Sequence, residues 1–213
     1  MRFGTIVCDP PWPYAKTSGH AKLTGYSEDH YAPLSMAELL ALPVAAVAAD
    51  SCVLLLWTTP VFIAEGHATR LAEAWGFTPR TSLFWVKTTR SCTAKDPDAE
   101  DLRLHHGVGY WFLGCVEPIL VASKGKFERN QTRSRKKGCI VAPVTGHSTK
   151  PPDLHRIAEE HYPGPRLELF ARCRVPGWVA LGNEVEDGMD IRESLAAFNV
   201  ASDQEVAEIW GGA

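Results

Sequence analysis

Apolar residues fall along the chain in short runs, separated by stretches rich in proline, glycine and polar residues. Thr5–Cys8 predicts a buried strand, and Asp9-Pro10-Pro11 stops it, because two prolines cannot continue a ladder. Ser35-Met-Ala-Glu38 is a capping box that opens a helix, which Pro43 breaks or kinks before Ala48. Cys52–Thr58 is an apolar, β-rich strand. Thr59-Pro60 then supplies an N-cap and a first-turn proline for a helix running to Trp75 and ending at Gly76. Ser82–Lys87, Val116–Ala122 and Ile140–Ala142 are strand-like. Pro151–His161 carries Leu154, Ile157 and Ala158 on one helical face. Leu167–Ala171 and Trp178–Leu181 predict two further strands. From Met189 the pattern predicts one or two short amphipathic helices, with Ile191, Leu195, Phe198, Val206, Ile209 and Trp210 as their apolar sides.

Strands alternating with helices predict an α/β fold, with a central, mostly parallel sheet and helices on both faces. In such folds ligands bind beyond the carboxyl ends of the strands. That rule gathers Asp9, the residues after Trp57 and Lys87, Arg172–Arg174 and Asn183-Glu184 along one edge. The stretches 13–34 and 88–112 read as long loops inserted there, and loops of that length in a compact domain are commonly functional. The expected organisation is one domain over 1–184 and an acidic helical tail over 185–213. The tail's apolar residues would be costly in water, so they pack on the body or form a homodimer contact.

The 213 residues suffice for a single α/β core without a metal or disulfide staple. No apolar run approaches the ~18 residues of a membrane span, and the N-terminus reads directly into a strand with no targeting signal. Six scattered cysteines with no Cys-x-x-Cys, and no paired helical histidines, argue against a structural zinc and fit a reducing, cytoplasmic setting.

The formal charge of −3 hides an asymmetry. Residues 184–213 hold eight acids and one base, which leaves the body at +4. Lys124, Lys126, Arg129, Arg133, Arg135, Lys136 and Lys137 stand in one short segment, with Glu128 the lone acid among them. Clustered Lys and Arg give affinity for a polyanion, so this segment is expected to contact phosphates.

Asp9-Pro10-Pro11-Trp12 is the sharpest chemical signal. An exocyclic amine on a base is a poor nucleophile, because its lone pair is delocalised into the ring. The Asp9 carboxylate and the Pro10 carbonyl can each accept one amine hydrogen, turning that lone pair towards a methyl donor. The prolines stiffen the backbone, and Trp12 offers a flat face for a base taken out of its helix. No Gly-x-Gly-x-x-Gly, Walker-type loop or Gly-x-Ser-x-Gly elbow is present, so hydride transfer, P-loop chemistry and serine hydrolysis are unsupported. Further on, Lys150, the strand ending at Arg172, and Gly182-Asn183-Glu184 form the layout of a nucleoside pocket. A carboxylate after the second strand suits ribose hydroxyls, and Arg172 and Lys150 suit the ribose and a ligand carboxylate.

With these residues in hand, the chain resembles the prokaryotic and phage branch of the adenine-N6 methyltransferase family that includes the catalytic subunit of the eukaryotic mRNA methyltransferase. The resemblance covers about residues 3–184. It is carried by Asp9-Pro-Pro-Trp12, Leu54-Leu-Leu-Trp57, Phe84-Trp-Val-Lys-Thr88, Val121-Ala-Ser-Lys-Gly125, His147-Ser-Thr-Lys-Pro151, Glu168-Leu-Phe-Ala-Arg172 and Gly177-Trp178 with Gly182-Asn-Glu184. It implies a Rossmann-like core in permuted motif order, with the catalytic strand first and the cofactor strand last, using S-adenosylmethionine. It assigns Asp9, Pro10, Pro11 and Trp12 to catalysis, with Asp9 and Lys150 near the cofactor. Arg172, Asn183 and Glu184 match ribose contacts, Arg174 aligns with a cofactor-contacting position, and Tyr31 with a residue near the transferred methyl. Lys87 and the basic segment join Trp12 and Tyr31 on the substrate side. The implied partner is nucleic acid, DNA ahead of RNA. Two other classes stay open: a non-catalytic nucleic-acid-binding partner subunit on the same fold, and a cytosine-N4 methyltransferase, against which Asp9 in place of serine argues.

Overall fold

The computed structural model describes residues 1–13, 34–107, 111–126, 137–146, 149–185 and 189–201. Tyr31, Arg129, Arg133, Arg135, Lys136, Val206, Ile209 and Trp210 lie outside the described residues. Seven strands form one sheet: β1 (Phe3–Cys8), β2 (Ala48–Trp57), β3 (Thr78–Thr88), β4 (Val116–Lys124), β5 (Cys139–Pro143), β6 (Arg166–Leu169) and β7 (Val179–Leu181). Their order is β5-β3-β4-β2-β1-β6-β7. All run parallel except β4, which is antiparallel to both β2 and β3. The reversal has a local cause. The link from β3 to β4 contains no helix among its described residues, and an antiparallel return needs no crossover helix.

The capping box forms as expected: Ser35 Oγ accepts from the Glu38 N–H at 3.2 Å, and Glu38 Oε2 accepts from the Ser35 N–H at 2.8 Å. It opens α1 (Met36–Ala41), which Pro43 separates from α2 (Val44–Val47). The helix expected from Thr59 to Trp75 is two helices, α3 (Pro60–Ala64) and α4 (His67–Ala74). Gly66, at φ 72°, is the break, a left-handed turn that a residue without Cβ adopts at little cost. α5 spans Asp153–His161 and α6 spans Ile191–Val200.

Two apolar layers cover the sheet. Leu39, Val44, Phe62, Leu71, Ile191, Leu195 and Phe198 bring α1, α2, α3, α4 and α6 onto one face. On the other, Leu154 and Ala158 of α5 pack with Val7, Leu55, Trp57, Trp85, Ile119 and Trp178. Thus α6, in the expected tail, packs on the body, one of the two arrangements expected for its apolar residues. Phe198 is 3% exposed and its ring lies 5.2 Å from that of Phe3. All six cysteines are free thiols, and no described helix is long and apolar enough to cross a membrane.

The antiparallel β4 corrects one expectation about the basic segment. Its N-terminal end, not its C-terminal end, lies at the edge where the parallel strands finish. Lys124 and Lys126 are therefore carried to the opposite edge, roughly 23 Å along the strand from Glu117. There Lys124 Nζ donates to the carbonyls of Ala45 (3.3 Å) and Ala48 (3.5 Å), and Ser51 Oγ donates to the Lys126 carbonyl at 2.8 Å. These residues fasten β4 to the start of β2. Lys137, also expected on phosphate, is paired with Asp96 at 2.8 Å and Asp98 at 2.6 Å.

Candidate active site

Period-two alternation builds the site. Asp9 continues the side of β1 that carries Val7, Glu117 the side of β4 that carries Ile119, and Lys87 the side of β3 that carries Trp85. Trp57 ends β2 on this same face, opposite Ile119, while Trp85 lies opposite Glu117. The four strands thus place two carboxylates and one ammonium in line above an indole floor, with Trp57 and Trp85 edge to face at 6.2 Å. α5, seated by Leu154 and Ala158, begins just after Lys150 and brings a second ammonium to the row.

The contacts run continuously. Lys150 Nζ donates to Asp9 Oδ2 at 2.9 Å and to Glu117 Oε1 at 3.0 Å, and Lys87 Nζ reaches Glu117 Oε2 at 2.9 Å. Lys150 lies 5.5 Å above the Trp57 ring and Lys87 4.9 Å above that of Trp85, within cation–π range. Side-chain exposures of 15–24% keep all four groups mostly out of bulk water. Burial penalises the Lys150 ammonium, yet the Asp9 and Glu117 carboxylates outweigh it and hold its pKa above the ordinary value. Burial likewise opposes the Glu117 carboxylate, and Lys150 and Lys87 outweigh that, holding its pKa below the ordinary value. Cys8, between strand and motif, is fully buried, and burial with Asp9 and Glu168 beside it pushes its thiol well up. It is no candidate nucleophile.

Glu117 is the functional residue that the sequence analysis missed. Its signal was a lone acid on the core-facing register of an apolar strand. The edge rule for parallel strands directs attention to strand C-termini, whereas Glu117 stands at the N-terminal end of the one reversed strand. Lys87, by contrast, was expected at this edge and is there.

Trp12 departs from its expected role. It is 5% exposed, stacks on Phe62 with ring centroids 4.8 Å apart, and donates its indole N–H to the Trp57 carbonyl at 3.0 Å. It is a core residue that locks the motif onto β2 rather than an open face for a base. The Pro10 carbonyl accepts from the Trp12 N–H at 2.8 Å, which leaves one of its two lone pairs for another donor. Pro10 itself is buried and Pro11 half-buried.

On the other side of β1, the ends of β6 and β7 are pinned together. The Ala171 N–H donates to the Leu181 carbonyl at 3.0 Å, and Phe170 turns through φ 60°. Gly182 fits so closely that a Cβ there would stand 2.3 Å from the Ala171 carbonyl oxygen. Exposed Arg172 and Glu184 and half-buried Asn183 follow these strand ends. Arg174 is exposed and its guanidinium donates to the Val185 carbonyl at 3.2 Å. α5 braces the region from below: His155 Nε2 meets Glu168 Oε2 at 3.0 Å, and the Trp178 indole N–H donates to Glu159 at 2.8 Å. The structure therefore brings Asp9, Lys150, Lys87 and Glu117 together, with Arg172, Asn183 and Glu184 at the neighbouring strand ends. No three His, Cys, Asp or Glu side chains gather as a metal site among the described residues.

The chain matches known proteins over most of its length. A family model described as MT-A70 matches residues 3–184. Among curated proteins, the type II methyltransferase M.MunI of Mycoplasma sp is 28% identical over 202 residues, covering 87% of this chain and 79% of that protein. An Arabidopsis thaliana N(6)-adenosine-methyltransferase MT-A70-like protein is 30% identical over 207 residues, covering 96% of this chain and 27% of its own length. The human N(6)-adenine-specific methyltransferase METTL4 is 30% identical over 191 residues, covering 86% and 37%. The chain thus spans most of one relative and about a quarter to a third of the larger two. With the family match running from the first strand past the last, and the charged row at the strand ends inside it, the chain belongs to the MT-A70 family and is a methyltransferase with an α/β fold.

Proposed function

We propose that this chain transfers a methyl group from S-adenosylmethionine to the N6 amine of adenine in nucleic acid, DNA ahead of RNA. The observation that carries the reading is the Lys150–Asp9 ion pair. Lys150 occupies Asp9 Oδ2, which fixes the carboxylate plane and leaves Oδ1 to accept one amine hydrogen. The remaining lone pair of the Pro10 carbonyl accepts the other. An amine held by both hydrogens has its lone pair directed away from the protein, and most of the rate gain is then orientation.

The residues at the β6 and β7 ends fit the methyl donor chemically. Glu184 supplies acceptors for a ribose diol, Arg172 a forked donor for a carboxylate, and Asn183 both kinds of group. The closeness of Gly182 to Ala171 keeps those side chains in register. When bound, the donor supplies a sulfonium methyl with a thioether leaving group. One N–C bond forms as one S–C bond breaks, and the amine then gives up one proton, for which Asp9 is the adjacent acceptor. No strong base is required before transfer, and the raised Cys8 thiol takes no part.

DNA is put ahead of RNA because a relative matched over most of both lengths is named a type II methyltransferase, and the adenine-specific name of another supports the base. The reducing cysteine chemistry supports action in the cytoplasm. Single-turnover transfer from labelled S-adenosylmethionine to mixed DNA tests the site. Asp9→Ala is expected to slow transfer at least ~10²-fold while calorimetric donor affinity stays within a few-fold. Wild-type rates in that variant would refute the assignment.

A further inference from the structure

We infer that His155 is a positioning residue for methyl transfer: it engages the Glu168 carboxylate, so that Lys150 stays on Asp9. This rests on the reading of Asp9 as the group that presents the amine, and adds what keeps its ammonium partner in place.

Glu168 is a third carboxylate on the face of the sheet that carries the charged row. Leu167 and Leu169 turn to the opposite face, whereas Glu168 pairs in register with Val7, which faces α5. Asp9 stands two residues beyond Val7, and its N–H reaches the Leu169 carbonyl at 3.5 Å, so β1 and β6 still run side by side there. Glu168 therefore lies one strand across and one pleat back from Asp9, a backbone separation of roughly 8 Å. Both charges act on one thiol, that of Cys8, which burial, Asp9 and Glu168 push up in that order.

A carboxylate at 19% exposure needs a donor. The Lys150 ammonium, on a flexible four-carbon stem, already holds Asp9 and Glu117. A Glu168 without a partner would be a third claim on it, and any movement of Lys150 towards Glu168 releases Asp9 Oδ2.

His155 removes that claim. Its Nε2 lies 3.0 Å from Glu168 Oε2, and among the described residues no other hydrogen bond or ion pair reaches Glu168. An ionised carboxylate only accepts, so Nε2 carries the hydrogen. The imidazole is itself held. It meets the Trp178 ring edge to face at 4.7 Å, and the Trp178 indole N–H donates to Glu159, one helical turn on from His155. These polar ties give α5 its directional anchors. Its N-cap is Pro152, which makes no side-chain cap, and Leu154 and Ala158 seat it by apolar contact, which has no direction. His155 is the anchor at the end of α5 nearest Lys150, five residues away in the chain.

The test is a double-variant cycle, read by single-turnover transfer to mixed DNA and RNA at saturating S-adenosylmethionine. His155→Ala is expected to slow transfer about tenfold or more, because Asp9 loses its aim. Adding Glu168→Gln to His155→Ala should return the rate to within about threefold of wild type, since no bare carboxylate then competes for Lys150. Glu168→Gln alone, and His155→Gln, which keeps an N–H donor, should each stay within about threefold. A second readout needs no donor. The Lys150 ammonium nitrogen resonance, assigned by its loss in Lys150→Met, should move in His155→Ala and return in the double variant. Rescue by Glu168→Gln separates this role from packing, because that change does not refill the space the imidazole leaves. Wild-type rates in His155→Ala, or an unmoved Lys150 resonance, would overturn the proposal. So would a double variant as slow as His155→Ala. If His155→Ala does not fold, slow transfer by the folded double variant or by His155→Gln overturns it equally. Wild-type protein that transfers to neither DNA nor RNA would instead sink the reading above and, with it, a role for His155 in transfer.

Discussion

An ammonium between two carboxylates decides what Asp9 can do. Without Lys150, Asp9 and Glu117 would face each other as like charges in a half-buried site. With it, each carboxylate has an ammonium partner and Asp9 stays aimed. Glu117 touches Lys150 and Lys87, so it is a positioning residue. Glu117→Gln removes a charge from a site with 15% exposure and should cost about 2 kcal/mol, lowering the melting temperature by roughly 5 °C. The sign with pH is fixed by the two shifts. A carboxyl held below 4.5 in the fold contributes stability above that value and loses it as pH falls through its lower folded pKa. An ammonium held above 10.5 contributes fully below that value and loses it as pH rises through its higher folded pKa. The melting-temperature gap between wild type and Glu117→Gln should therefore be constant from about pH 5 to 10 and narrow as pH falls below 4.5 through the folded pKa of Glu117. A gap that does not narrow at all on acidification would show that Glu117 acts by packing rather than charge.

At the scale of elements, the meeting of β6 and β7 makes the sharpest prediction. Gly182→Ala sets a methyl 2.3 Å from a backbone oxygen, where no flexible side chain can give way. The strand ends must part, at a cost of about 1–3 kcal/mol, and the Arg172–Asn183–Glu184 geometry goes with them. Calorimetry should show at least ~10-fold weaker donor binding; unchanged affinity would mean the donor is held elsewhere. Elements such as these were legible where one local rule governs them. Ser35 and Glu38 announced α1, Pro43 its end, and Asp9-Pro10-Pro11 the end of β1. Local rules failed where geometry is relational. Gly66 is unremarkable in sequence but splits a helix, and the antiparallel sense of β4 follows from a helix-free link whose consequence appears only across the sheet. That one reversal hid Glu117 and misplaced Lys124 and Lys126. Trp12 was misread for a related reason: a tryptophan after a turn looks available until Phe62 of α3 is seen to cover it.

For the whole molecule, the reversed strand separates two surfaces that the chain keeps close in sequence. Lys124 serves β2 and α2 at the far edge, so Lys124→Ala should leave oligonucleotide affinity within about twofold in anisotropy titrations, and a loss of tenfold would return that edge to the substrate path. The C-terminal helix is likewise structural. Ile191, Leu195 and Phe198 are each 5% exposed or less, and burying three such side chains is worth about 5 kcal/mol, a large share of a domain's net stability. Truncation after Asp187 should therefore give a protein that melts far lower or fails to fold, rather than an intact domain without its tail. The central claim, that Asp9 presents an adenine amine to a methyl donor, is tested most directly by identifying the product. Protein with labelled S-adenosylmethionine and DNA or RNA of mixed sequence, followed by mass spectrometry of the nucleosides, should yield N6-methyladenine from wild type and none from Asp9→Ala with donor still bound. Methyl on cytosine N4, or N6-methyladenine formed as fast without the Asp9 carboxylate, would contradict it.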